Sequence, residues 1–139
     1  MSIRRVLQED TNGCGLACLA MITDQTYQQV KTEVTHIGQH GISVHCIESY
    51  LVDRGYALSW KYLYRGYTNQ RRDEWPPALW ANVHIAQVRI PNGSHFIVVL
   101  FNGEVLDPLT PAARRFEDYT EIDNIVAIYK CDMEIELCH

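Results

Sequence analysis

Cys14 stands between two glycines in Asn12-Gly13-Cys14-Gly15, where a helical pattern begins. From there apolar residues fall at Cys14, Ala17, Cys18, Met21 and Ile22, the spacing of a buried helical stripe. A cysteine at a helix start meets unpaired backbone N–H groups and the positive end of the helix dipole, and both favour a thiolate. A thiolate attacks acyl carbons, so the chemistry in view is acyl transfer through a thioester. Gly13 and Gly15 are expected to leave room for a substrate backbone to approach. Cys18, one turn further along the same face, reads as small core filler.

Such a nucleophile needs a base, and the base needs an orienting group. Of the histidines His36, His40, His45, His84, His95 and His139, His95 stands out. It opens the strongest strand pattern, Ser94 to Phe101, directly after Asn92-Gly93. Asn102-Gly103 is a hairpin signal, and Glu104 to Asp107 is the return strand, stopped by Pro108. Asp107 is then expected to accept the His95 Nδ1 proton and fix the ring's tautomer. A plain two-residue turn at Asn102-Gly103 would set Asp107 opposite Val98, with His95 on the other face. A β-bulge or a wider loop is therefore predicted in this hairpin. Without one, the third member is Asn82 or Asn92.

The elements that position these residues follow from periodicity and punctuation. Asn12 is a candidate cap for the first helix, a second short helix runs from Tyr27 to Val34, and Ser43 caps a third that Gly55 ends. Strands are predicted over Ala57 to Tyr64, Ala78 to Val83, His84 to Ile90, Ser94 to Phe101, Glu104 to Asp107 and Asn124 to Lys130, with a loop at Trp75-Pro76-Pro77. Helices first and closely spaced strands later give an α+β fold, the helices packed on one side of an antiparallel sheet.

The chain has 139 residues, 47% of them hydrophobic, and a net charge of −5. That is enough for one domain, residues 1–139, with its own core. The acidic balance argues against nucleic acid, and Arg71-Arg72 and Arg114-Arg115 read as solvated surface. No apolar run suits a membrane span or a secretory signal, so the chain is expected to be cytoplasmic. Its five cysteines are irregularly spaced, which argues against a disulfide framework. Cys131, Cys138 and His139 lack the spacing of common zinc pairs, and no metal or cofactor is expected. Trp60, Trp75 and Trp80 read as core or cleft wall.

The segment from Val6 to Ile22, Val-Leu-Gln-Glu-Asp-Thr-Asn-Gly-Cys-Gly-Leu-Ala-Cys-Leu-Ala-Met-Ile, resembles the opening motif of the bacteriocin-processing cysteine peptidases. These are papain-like enzymes that remove leader peptides after a double glycine. Gln8 stands six residues before Cys14, as in the family's motif, and Gly15-Leu16-Ala17 matches its Gly-x-Ala. Ser94-His95-Phe96-Ile97-Val98-Val99 is similar to the histidine strand, and Val105-Leu106-Asp107-Pro108 to the aspartate segment. Gly41-Ile42-Ser43 through Gly55-Tyr56 is similar to the middle helix. The resemblance implies a papain-like cysteine peptidase fold, with Cys14 as nucleophile, His95 as general base and acid, and Asp107 as orienting group. It also implies that Gln8 donates its amide to the oxyanion, beside the Cys14 backbone N–H. An amide donor one short loop before the nucleophile is placed to do so. The partner implied is a peptide or protein substrate, cleaved after small residues. The alternatives are a related acyl-transferring or deamidating enzyme, and a catalytically silent domain that binds peptide segments.

Overall fold

The computed structural model describes residues 3–34, 37–62, 83–91, 93–100 and 102–130, with residues 59–62 described through their backbone alone. Three helices come first: α1 (Cys14–Thr23), α2 (Tyr27–Glu33) and α3 (Val44–Asp53). Six strands follow: β1 (Tyr56–Tyr62), β2 (Val83–Ile90), β3 (Gly93–Val99), β4 (Glu104–Leu106), β5 (Arg114–Arg115) and β6 (Ile122–Lys130). They form one antiparallel sheet in the order β1-β6-β2-β3-β4-β5. The expected α+β arrangement is present. The strand predicted over Ala78 to Val83 lies outside the described residues except for Val83, which begins β2. Arg114 and Arg115 are exposed as expected, but they also pair with β4 as a short edge strand.

α1 is buried from Gly15 to Ile22, so it runs through the core rather than along the surface. The Asn12 cap is corrected. Gly13 caps α1 without a side-chain bond, and Asn12 Nδ2 donates instead to Gly38 O at 3.1 Å. Asn12 therefore anchors the Gly38–Gly41 bridge and leaves the first-turn N–H groups of α1 uncapped by its side chain. Ser43 and Gly55 serve α3 as expected, and the cap of α2 is Thr26. Thr26 and Gln29 close a capping box on α2, Ser43 Oγ accepts from Cys46 N at 3.1 Å on α3, and Gly55 takes φ +87° after α3.

Alternation along the strands divides the apolar residues into two cores. Phe96 and Val98 of β3 join Ile85, Leu106, Val126 and Ile128 against the three helices. Ile97 and Val99 join Val88, Val105, Ile122 and Ile125 against Phe116 and Tyr119, on and beside a 3-10 turn at Phe116–Asp118. His95 begins the second row of β3, at the end of the strand nearest the start of α1. Among the described residues, no helix is long and apolar enough to cross a membrane.

Candidate active site

The hairpin joining β3 to β4 decides which face Asp107 occupies. Val98 pairs with Leu106 and Val99 with Val105, while Leu100 N donates to Glu104 O at 2.8 Å. The turn therefore holds three residues, one more than a plain Asn-Gly turn, as the predicted wider loop requires. Gly103 makes it possible by taking φ +87°, a conformation that a side chain would strain. The one-residue shift brings Asp107 to the His95 side of the sheet.

There His95 Nε2 lies 2.7 Å from Asp107 Oδ1. The expected use of Nδ1 is corrected, and the reason is where the ring is rooted. The Cys14 sulfur sits by the backbone N–H of Phe96, next to the residue that roots the ring. The ring's far nitrogen, Nε2, reaches the carboxylate. Asp107 Oδ1 also accepts from Leu109 N at 2.8 Å, and Oδ2 accepts from the Tyr119 hydroxyl at 2.5 Å. Nothing local in the sequence signals Tyr119. It arrives by the fold of the Phe116–Asp118 turn, twelve residues beyond Asp107.

The electrostatics of the three groups reinforce one another. Burial pushes the Cys14 thiol up, but hydrogen bonds with His95 and the Phe96 backbone outweigh it and hold the thiol below its usual value. Burial pushes His95 down, while bonds to Asp107 and Cys14 raise it to about 9. Burial likewise pushes Asp107 up, and hydrogen bonds from His95, Tyr119 and Leu109 N bring it below the usual carboxylate range. These directions favour a thiolate, an imidazolium and a carboxylate side by side.

At Gly13 the expected room for a substrate backbone is taken by the protein itself, while Gly15 packs closely and also lines the cleft beside Cys14. A Cβ at Gly13 would lie 1.9 Å from Tyr27 Oη, and one at Gly15 would lie 2.6 Å from Ile42 Cγ1. The protein's own side chains fill both places. Tyr27 and Lys31 of α2 also donate to Asp10 Oδ2 at 2.7 and 2.9 Å, which ties down the loop before Cys14.

Gln8 lies at the same end of the molecule, its backbone N donating to Pro108 O at 3.0 Å. Its side-chain Nε2 donates to Asp10 O at 2.8 Å and to Thr11 O at 3.2 Å, and among the described residues its buried Oε1 has no hydrogen-bond partner. Asn82, Asn92, Cys131, Cys138 and His139 lie outside the described residues, as do the side chains of Trp60, Trp75 and Trp80. Among the described residues, no three His, Cys, Asp or Glu side chains gather as a metal ion would need.

Beside Cys14 opens a cleft of about 360 Å³, lined by Gly15, Gly41, Ile42, Gln87, Ser94 and Phe96 among others. Ile42 and Phe96, both nearly buried, form the apolar part of its wall. A peptide carbonyl in it would face both the Cys14 sulfur and the positive end of the α1 dipole.

No protein-family model and no curated protein matches the sequence. Solved structures do match it in shape. The peptidase domain of Streptococcus ComA, a bifunctional ABC transporter involved in quorum sensing, superposes with a TM-score of 0.66 at 14% identity, over 93% of this chain and 99% of that one. A double glycine motif protease from an AMS/PCAT transporter, solved in complex with its leader peptide, gives 0.65 at 15% identity, over 93% and 92%. The peptidase domain of Streptococcus mutans ComA with a small-molecule inhibitor gives 0.59 at 15%, over 91% and 98%. The chain thus has the fold of the double-glycine peptidase domains, papain-like and α+β, over nearly its whole length.

Proposed function

We propose that this chain is a cysteine peptidase acting through Cys14, His95 and Asp107. The observation that carries the reading is the buried pair of His95 Nε2 and Asp107 Oδ1 at 2.7 Å, on a ring that also lowers the Cys14 thiol. The Cys14 thiolate attacks the carbonyl carbon of a peptide bond. Negative charge developing on the oxygen rests against the Cys14 backbone N–H at the start of α1. The His95 imidazolium gives its proton to the departing amine, leaving an acyl thioester on Cys14. His95, now neutral, takes a proton from water as that water attacks the thioester. The acid product leaves and the thiolate–imidazolium pair is restored. Gln8 is the second donor to the oxyanion in this scheme. Serving there requires its amide to release one of the Asp10 and Thr11 carbonyls.

The proposed substrates are leader peptides cut after Gly-Gly, with the chain working as a single cytoplasmic domain. The cleft beside Cys14 and the leader peptide bound by the AMS/PCAT protease support this. The test is incubation with a library of Gly-Gly-containing peptides, with products read by mass. The reading expects cleavage by the wild type and none by Cys14→Ala. Equal cleavage by the variant, or products showing only deamidation or joined chains, would overturn it.

A further inference from the structure

Asp107 is 5% exposed, and each of its oxygens is held by a separate group. Oδ1 faces His95 Nε2 and Leu109 N, at 2.7 and 2.8 Å. Oδ2 accepts from Tyr119, itself 7% exposed, and among the described residues has no other hydrogen-bond partner. The Tyr119 ring packs in the second core with Phe116, so the hydroxyl is aimed by a rigid support.

We infer that Tyr119 is a positioning residue of this site, whose hydroxyl keeps Asp107 ionised and turned toward His95. The inference rests on the peptidase reading above. A buried carboxylate oxygen that loses its donor must take up a proton or turn to find another partner. Either change removes the charge that orients and holds the imidazolium. Tyr119 touches neither the sulfur nor the cleft, so its effect must pass through Asp107 and His95. Around this group stand Cys14 and Cys18 from α1, His95 from β3, Arg114 from β5 and Asp118 from the 3-10 turn. Arg114 favours ionisation of the phenol. Burial, Asp107 and Asp118 oppose it and push the phenol well above its usual value, so it remains a donor.

Tyr119→Phe keeps the ring and removes the donor. In the variant, kcat should fall about 10- to 100-fold with KM unchanged, the loss of one hydrogen bond to a charged group. The alkaline limb of the rate profile, set by His95 at about 9, should move to lower pH. In an Asp107→Ala background the same substitution should cost nothing further. A purely structural tyrosine would give the same loss in both backgrounds and leave the limb in place, and that result would overturn the inference. The pH profile of Cys14 alkylation by iodoacetamide reads the weakened imidazolium without any substrate, as a displacement to higher pH, and an unmoved profile would overturn the inference. It therefore still decides the role of Tyr119 if no peptide is cleaved and the peptidase reading fails. Should Tyr119→Phe not fold, proton NMR of the wild type decides. A downfield hydroxyl resonance protected from solvent exchange supports the inference, and a freely exchanging one overturns it.

Discussion

The first and second turns of α1 each carry a cysteine on the same face, and the two are held in opposite states. Cys14 is half-buried at the helix start, where His95 and the Phe96 backbone lower its thiol. Cys18, one turn inward, is fully buried and has the charges of Cys14 and Asp107 nearby, so its thiol is pushed well above the usual value. Residue type and helix are shared, so neither creates reactivity. What differs is a place at the helix end, where backbone N–H groups meet the sulfur, and contact with a histidine that is paired with Asp107. The negative charges that accompany a reactive Cys14 also help to keep Cys18 protonated.

Substitution breaks this comparison most sharply at the first turn. Cys14→Ala should lower turnover by about 10⁴-fold or more, as loss of a nucleophile does, with unfolding temperature little changed. A steady-state assay and a thermal melt on the same sample check both parts. Cys18→Ala should leave kcat within about threefold, because Cys18 touches no reacting atom.

The next effect probes the donor side of the same turn. Gln8→Ala should lower kcat by about 100-fold, if its amide reaches the oxyanion beside the Cys14 N–H. The measurement is kcat and KM on one peptide, and an unchanged kcat would mean that the side chain serves only the loop carbonyls it meets in the free chain. The smallest effect belongs to the second turn. Cys18→Ser places a hydroxyl among apolar neighbours and should cost about 1–3 kcal/mol of stability, read by denaturant unfolding, while the folded fraction keeps its activity.

These two turns also mark how far the sequence could be read. The stripe from Cys14 to Ile22 announces α1 because burial on a helix leaves a period, and Ser43 and Gly55 announce the ends of α3 because caps have characteristic residues. The wider turn was inferable from parity alone, since only an extra residue brings Asp107 to the face of His95. Other features depend on contacts distant in sequence. Which ring nitrogen meets Asp107 depends on where β4 ends against β3. Tyr119 arrives through the Phe116–Asp118 turn, and the space beside Gly13 and Gly15 is claimed by Tyr27 and Ile42 from other elements. Asn12 looks like a cap by position, yet it bonds to a loop 26 residues away. Local pattern contains none of these.

The central claim is that Cys14 and His95 form an ion pair in the resting chain. It predicts turnover over a range bounded above by His95 at about 9, since above that pH the ring loses the proton it must give to the leaving amine while Cys14 stays ionised. The most direct measurement is the rate of Cys14 alkylation by iodoacetamide against pH, read at that residue by mass spectrometry, in the wild type and in His95→Ala. The account predicts reaction near neutral pH in the wild type, a profile displaced to higher pH in His95→Ala, and no labelling of Cys18 until the chain unfolds. A wild-type profile like that of an ordinary thiol, unchanged by His95→Ala, would contradict it.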